Sequence, residues 1–353
     1  MTVYLPRKIK IMRTLFVVAA LALFSCTSST NEQNTEIQEV NIYSHRHYDV
    51  DQELFEQFTK ETGIKVNVIN ASADELLVRM QNEGQNCPAD LLLTSDAGRL
   101  VRAAEMNLLQ PSTSPFIEKT VRQHLRSSEN LWTALTMRAR VLAYAPDRVD
   151  TSLLKSYEDL ANPIWKGKVL TRTSNNIYNQ SLLASIIANN GDSGAIAWAQ
   201  GVVANFARDP QGNDRDQVSA IAAGEGDIAI VNTYYVGKML ASDNPVEKEA
   251  AEGVKLLFPN QGGRGTHINI SGAGIAKYAP HKDNALKLIE FLLRTDVQQK
   301  FADANYEYPV NTEAQLSEVV AKMGLFNEDA LPLEKLGQLN GRAVEIFNEV
   351  GWN

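Results

Sequence analysis

Two adjacent tyrosines, Tyr234 and Tyr235, follow the apolar run Ile228-Ala229-Ile230-Val231, and two further motifs share that local setting, His47-Tyr48 and the single Tyr178. Phenol oxygens are hard donors. Several of them converging with one imidazole would suit a hard, highly charged cation such as Fe(III), whereas thiolates would suit softer ions. A free phenol ionises only near pH 10, so a strongly Lewis-acidic ion is needed to make phenolate the dominant form at neutral pH, and binding should release protons. A tyrosine taken singly is ordinarily a half-buried packing residue with its hydroxyl hydrogen-bonded, and a lone histidine is ordinarily no ligand. What sets these residues apart is a placement that all three motifs share.

That placement is the junction between a strand and a helix. His47-Tyr48 lies between a predicted strand at 40–43 and a helix carrying Leu54, Phe55 and Phe58 at helical spacing. Tyr178 lies between a strand at 168–171 and a helix starting near Asn179, and the tyrosine doublet follows a strand at 227–231. In open α/β sheets ligands bind beyond the carboxyl ends of the strands, which is where these junctions fall. Neighbours in a strand point to opposite faces, but in the first turn of a helix they differ by about 100°, so both tyrosines of the doublet can lean into one cleft. The partial positive charge of a helix N-terminus also favours phenolate there.

From Val40 onward, short apolar runs alternate with helical patterns, which predicts an α/β architecture with mostly parallel sheets. Gly63 should stop the first helix; a strand at 66–69, a helix at 73–81, a strand at 90–94 and a helix capped by Asp96 then complete a doubly wound first lobe. Segments 132–135 and 141–144 are extended with no helix between them and mark a first crossing to a second lobe. That lobe carries helices at 179–189, 195–206 and 214–223. The alternating segment His267-Ile268-Asn269-Ile270, after the glycines at 262, 263 and 265, marks a second crossing. Helices follow at 284–293, on to Ala304, and at about 333–350. At least two crossings favour hinge motion. The expected boundaries are 1–25 for a signal peptide, 26–38 for a flexible tether, 39–132 plus 268–312 for the N-terminal lobe, and 133–267 plus 313–353 for the C-terminal lobe.

The chain has 353 residues, 44% of them apolar and 22% charged, the composition of an ordinary globular protein with room for two domains. Lys8, Lys10 and Arg13 precede an apolar stretch, 15–24, that is too short to span a bilayer and is shaped like a secretory signal. It ends in Leu23-Phe24-Ser25-Cys26, which resembles a bacterial lipobox and would anchor the mature chain by a lipid on Cys26. A Ser/Thr/Asn-rich tether without apolar periodicity follows. Cleavage before Cys26 removes four basic residues and no acidic one, taking the formal charge from −8 to −12. So acidic a chain is a poor nucleic-acid binder. Cys87 then has no partner for a disulfide, and no zinc-type cluster is possible, so any metal must rely on oxygen and nitrogen donors. No GxSxG elbow, HExxH or P-loop occurs, which leaves no motif for an enzyme.

The segments Tyr43-Ser44-His45-Arg46-His47-Tyr48 with Asp51, 171–181 around Tyr178, Asn232-Thr233-Tyr234-Tyr235, and 265–274 together resemble the ferric-ion-binding proteins of bacterial ABC importers, over nearly all of 39–311. The resemblance implies a bilobal periplasmic-binding-protein fold, two doubly wound lobes joined by a hinge and closing on Fe(III). It implies a monomer, at the extracytoplasmic face of a membrane, that hands iron to an ABC permease in the inner membrane. In the subgroup with an Arg-His-Tyr first motif, the ligands would be His47, Tyr48, Tyr178, Tyr234 and Tyr235. Other members use fewer tyrosines with a bound anion, so Tyr178 implies a site independent of carbonate or phosphate. Four phenolates around a trivalent ion leave a local charge near −1, which Arg46 and Arg172 are expected to balance. His45 is expected to stand outside the ligands, and His267 to serve structural hydrogen bonding rather than line the cleft. The rival reading is a protein of the same fold for an organic cation or oxyanion, such as a polyamine, thiamine or phosphonate, held by ring faces.

Overall fold

The computed structural model describes residues 38–46 and 48–353. Among these, ten strands run in chain order: β1 (Glu39–Ser44), β2 (Lys65–Asn70), β3 (Leu91–Thr94), β4 (Leu109–Gln110), β5 (Thr133–Tyr144), β6 (Val169–Leu170), β7 (Ile228–Asn232), β8 (Lys255–Leu257), β9 (Ile268–Ala276) and β10 (Tyr308–Pro309). The signal, Cys26 anchor and tether expected before residue 38 lie outside the described residues, as does His47.

Local sequence explains most of the first elements. In the helix Asp49–Thr62, Leu54, Phe55 and Phe58 are buried on one face, and Gly63 ends it in a left-handed conformation, its N–H bonded to the Thr59 carbonyl. Ser72 and Glu75 form a reciprocal capping box at the start of Ala73–Glu83. The Asp96 carboxylate accepts from the Arg99 N–H and so caps Ala97–Glu105. β1 is parallel to both β2 and β3, which requires the helical crossovers that the sequence alternation predicted.

The sheet runs β2-β1-β3-β9-β5-β7-β6, and β5 is its common member. Residues 133–139 of β5 pair with β9, whereas Arg140 to Tyr144 pair with β7, so one strand carries the chain from one half of the sheet to the other. β8 pairs with the far end of β5, and β9 then returns to pair with β3. Close approach in this return strand requires glycine: a Cβ on Gly272 would lie 2.7 Å from the Thr133 carbonyl. Along β5, Ala139, Val141 and Ala143 pack into a small apolar cluster with Val231, Val236 and Met239. Arg138 and Arg140 alternate with them and face the other way.

Two expectations need revision. The sheet is mixed rather than mostly parallel: β1 pairs parallel with β2 and β3, and β6 with β7, but β5 and β9 pair antiparallel with all their neighbours. The two extended segments around 136–140 are one continuous strand, because Arg138 and Arg140, charged as they are, lie buried in its middle. The helices expected at 179–189 and 195–206 are both present within Ile177–Ala204 and meet at a kink where Gly191 has a φ of 71°. The helix Pro245–Glu252 and the short strands β4, β8 and β10 carry too little periodicity to have been anticipated. Among the described residues, no helix is long and apolar enough to cross a membrane.

Candidate metal centre

Each predicted tyrosine sits at a helix start. Tyr48 is the residue before Asp49–Thr62, in an extended conformation. Tyr178 is the second residue of Ile177–Ala204, whose cap Asn176 accepts the Tyr178 N–H at 3.1 Å. Tyr234 and Tyr235 occupy the first turn of Thr233–Leu240, directly after β7. Their rings stack obliquely, with centroids 4.3 Å apart and planes 31° apart, so both lean to the same side.

All four phenols line one cavity of about 280 Å³, together with His45, Arg46, Ser95, Arg215 and Lys238. The hydroxyls of Tyr178 and Tyr234 are 3.2 Å apart. Among the described residues, no group of three or more His, Cys, Asp or Glu could hold a metal ion, so a metal site here must draw on phenols.

Three of the phenols, Tyr48, Tyr178 and Tyr234, are kept neutral until something displaces their protons. Burial pushes the Tyr178 hydroxyl up to about 12, assisted by Tyr235 and opposed by Arg138. Burial also raises Tyr48 and Tyr234 well above the ordinary phenol value; Glu307 adds to the effect on Tyr48 and the neighbouring tyrosines to that on Tyr234. Arg46 and Arg138 pull Tyr48 the other way. The cavity thus combines a high cost for one isolated phenolate with fixed positive charge nearby, and only a strong Lewis acid could gather several phenolates in it.

Of the two arginines expected to balance charge, Arg46 lines the cavity and Arg172 does not. Arg46 is buried, paired with Asp51 through Nε at 3.0 Å and Nη2 at 2.7 Å, and its guanidinium lies 4.9 Å from the Tyr48 ring centre. Burial opposes its charge, yet Asp51 and Glu307 hold its pKa above the usual arginine value. Arg172 stands against the lining, in contact with the Tyr235 hydroxyl, with its Nη1 3.5 Å from Asp214 and its guanidinium 5.7 Å from the Tyr178 ring centre. His45 lines the cavity with Nδ1 3.0 Å from the Ser95 hydroxyl. His267 is buried away from the lining, and burial with Arg140, Arg264 and Arg138 nearby pushes it down to about 3.

Sequence reading missed several charged neighbours. Lys238 stands one helical turn beyond Tyr234, with its ammonium 4.7 Å from the Tyr48 ring centre and 6.0 Å from that of Tyr234. The spacing of four residues from Tyr234 is a signal that could have revealed it. Arg138 is buried over the Tyr178 ring and donates to the Ser95 carbonyl and, at 3.3 Å, to the Ser271 hydroxyl. Glu307, wholly buried, accepts from the Thr136 hydroxyl at 2.9 Å and lies 3.7 Å from Arg138 Nη1.

Comparison with known proteins gives a consistent set of matches. Residues 86–325 match the family model described as bacterial extracellular solute-binding protein. The chain is 48% identical over 340 residues to iron uptake protein A1 of Synechocystis, covering 95% of this chain and 94% of that protein. Among solved structures, one from Trichodesmium in complex with iron and citrate ligands shares 46% identity at a TM-score of 0.86, covering 89% of this chain and 100% of the other. A ferric binding protein from Campylobacter jejuni shares 43% at a TM-score of 0.84, covering 89% of this chain and 100% of the other.

Proposed function

Because this chain belongs to the bacterial extracellular solute-binding proteins, carriers rather than enzymes with the α/β periplasmic-binding-protein fold, we propose that it captures Fe(III) outside the cytoplasm and delivers it to an ABC permease. The ion would be held by Tyr48, Tyr178, Tyr234 and Tyr235 together with His47. The observation that carries this reading is the single cavity lined by all four phenols. Two lobes, 39–132 plus 268–312 and 133–267 plus 313–353, would close on the ion, with β5 pairing with β9 of the first and β7 of the second. Lipid on Cys26 would keep the carrier at the membrane face.

Each residue has a task that follows from its chemistry. The phenols supply hard anionic oxygens once their protons leave, and the imidazole supplies a neutral nitrogen. Arg46 and Arg138, buried beside the phenols, offset the negative charge that four phenolates accumulate. The positive lining of Arg46, Arg215 and Lys238 makes the cavity a poor receptor for an organic cation such as a polyamine or thiamine. Four phenols in the lining, with Arg138 beneath Tyr178, leave no need of a carbonate or phosphate as further ligand.

Titration of the exported protein with Fe(III), followed by visible absorbance with and without carbonate, tests the reading. A phenolate-to-iron charge-transfer band that saturates at one ion per chain is expected under both conditions. A protein that saturates with iron and stays colourless would sink the ligand assignment, and a band that requires carbonate would sink anion independence.

A further inference from the structure

Three of the four cavity phenols hang from two helix starts, and one buried set of polar groups lies directly behind both. Asp214, wholly buried at the first position of the helix Asp214–Ala222, accepts the Asn232 N–H at 2.7 Å and Arg140 Nη1 at 2.6 Å. Asn232 is the cap residue of the helix that carries Tyr234 and Tyr235. Arg140, buried on β5, sends Nη2 to the Asn179 side-chain oxygen at 2.7 Å, while its Nη1 is 3.3 Å from that of Asn232. Asn179 follows Tyr178 and donates Nδ2 to the Arg172 carbonyl at 2.9 Å and the Thr173 carbonyl at 3.3 Å, bracing the loop that leads into its helix.

A buried ion pair is weak as a source of stability, since apolar residues of similar volume commonly do as well. It has what apolar packing lacks, fixed directions. Here the guanidinium fork spans from one helix start to the other, and the carboxylate holds the backbone at the second start. We propose that Arg140 and Asp214 are positioning residues that fix the Tyr178 phenol against those of Tyr234 and Tyr235 at the separation one trivalent ion requires. The inference rests on the Fe(III) reading of the cavity and extends it to groups that never touch the ion. Support of this kind is typical of metal sites, where loss of an outer partner costs about 10–100-fold in affinity.

Three variants of the exported protein test this, each loaded with Fe(III) from a weak carboxylate chelate. Asn179→Ala removes the bridge without unpairing a buried charge. Arg140→Lys keeps a cation beside Asp214 but cannot reach both asparagines. Asp214→Asn keeps the shape of the carboxylate and removes its charge. Asn179→Ala and Arg140→Lys should each bind iron about 10–100-fold more weakly. Their charge-transfer band should shift or weaken per bound ion, whatever fall in iron-free melting temperature the lost buried hydrogen bonds bring. Wild-type affinity with an unchanged band in both would overturn the proposal, and so would weaker binding with an unchanged band and a lowered melting temperature, which marks general destabilisation. Should Asp214→Asn fail to fold, the other two decide. If the unaltered protein itself takes up no iron with a charge-transfer band, it is the reading of the cavity that has failed, and this inference falls with it.

Discussion

The Tyr178 hydroxyl stands 3.2 Å from that of Tyr234, although 56 positions separate the two in the chain. A small hard cation in octahedral oxygen coordination, at about 2.0 Å from each ligand, keeps neighbouring oxygens roughly 2.8 Å apart. The two phenols are therefore held close to the spacing that joint ligation of one ion would demand.

Removing one hydroxyl should cost affinity and little else. Tyr178→Phe and Tyr234→Phe keep the ring packing, including the contact of Tyr234 with Tyr235 at 4.3 Å between centroids. Affinity for Fe(III) should fall by more than the roughly 100-fold that loss of an outer partner can cost. The charge-transfer band should weaken, while stability changes by about 1 kcal/mol, the worth of a single hydrogen bond. Competition titration and thermal melts measure both. Wild-type affinity in both variants would make the cluster a packing feature.

Acid should release the ion, and steeply. Burial holds Tyr48, Tyr178 and Tyr234 protonated in the iron-free protein, with Tyr178 raised to about 12. Each must therefore lose a proton on binding, so apparent affinity falls as pH falls. Capture by four phenols should release roughly three to four protons per ion near neutral pH. Proton release measured at low buffer concentration checks this, and one proton or fewer would exclude a multi-phenolate site.

The parts of this site that sequence could reveal were those tied to local pattern. Tyr178 and the doublet stand at strand-to-helix junctions, and the apolar runs before them and helical spacing after them suffice to place each one at a sheet edge. Arg138 and Arg140 carry no such mark. Two charges within five residues read as an interruption between extended segments, and only the buried partners Glu307 and Asp214, distant in sequence, make them tenable inside a strand. Glu307 itself lies between a helix and a two-residue strand, where no periodicity exists to assign it a face. Arg172, which the sequence places just before Tyr178, does stand against the phenols: it meets the Tyr235 hydroxyl and the Tyr178 ring, with Asp214 as its buried acidic partner.

Glu307 gives a variant in which stability and iron retention in acid move in opposite senses. It is wholly buried beside Arg138 and is one of the groups that raise the Tyr48 phenol. Glu307→Gln can keep the Thr136 hydrogen bond but removes the charge facing Arg138. The fold should lose stability, by less than the roughly 3–5 kcal/mol of an outright broken buried pair. Without that carboxylate, Tyr48 becomes more acidic, so iron retention should extend to lower pH than in the unaltered protein. Denaturant unfolding and the pH midpoint of iron release report the two effects separately. A midpoint that moves to higher pH would contradict the electrostatic role assigned to Glu307.

His267 predicts an acid sensitivity of the iron-free protein that is independent of the metal. Burial, with Arg140, Arg264 and Arg138 nearby, lowers it from 6.5 to about 3, so the folded protein keeps it neutral where the unfolded chain would protonate it. Between those values the unfolded state binds one more proton, and stability therefore falls as pH falls, by about 1.4 kcal/mol per pH unit for this one residue. Above pH 6.5 the imidazole is neutral in both states and contributes no slope. Going from pH 7 to pH 5 should thus cost about 2 kcal/mol through His267. A His267→Gln variant should lose that much less over the same interval, whatever its stability at pH 7. Denaturant midpoints of both proteins at the two pH values, without iron, measure the difference. Equal losses would mean that the imidazole is free to take up its proton in the fold, against its burial beside three guanidinium groups.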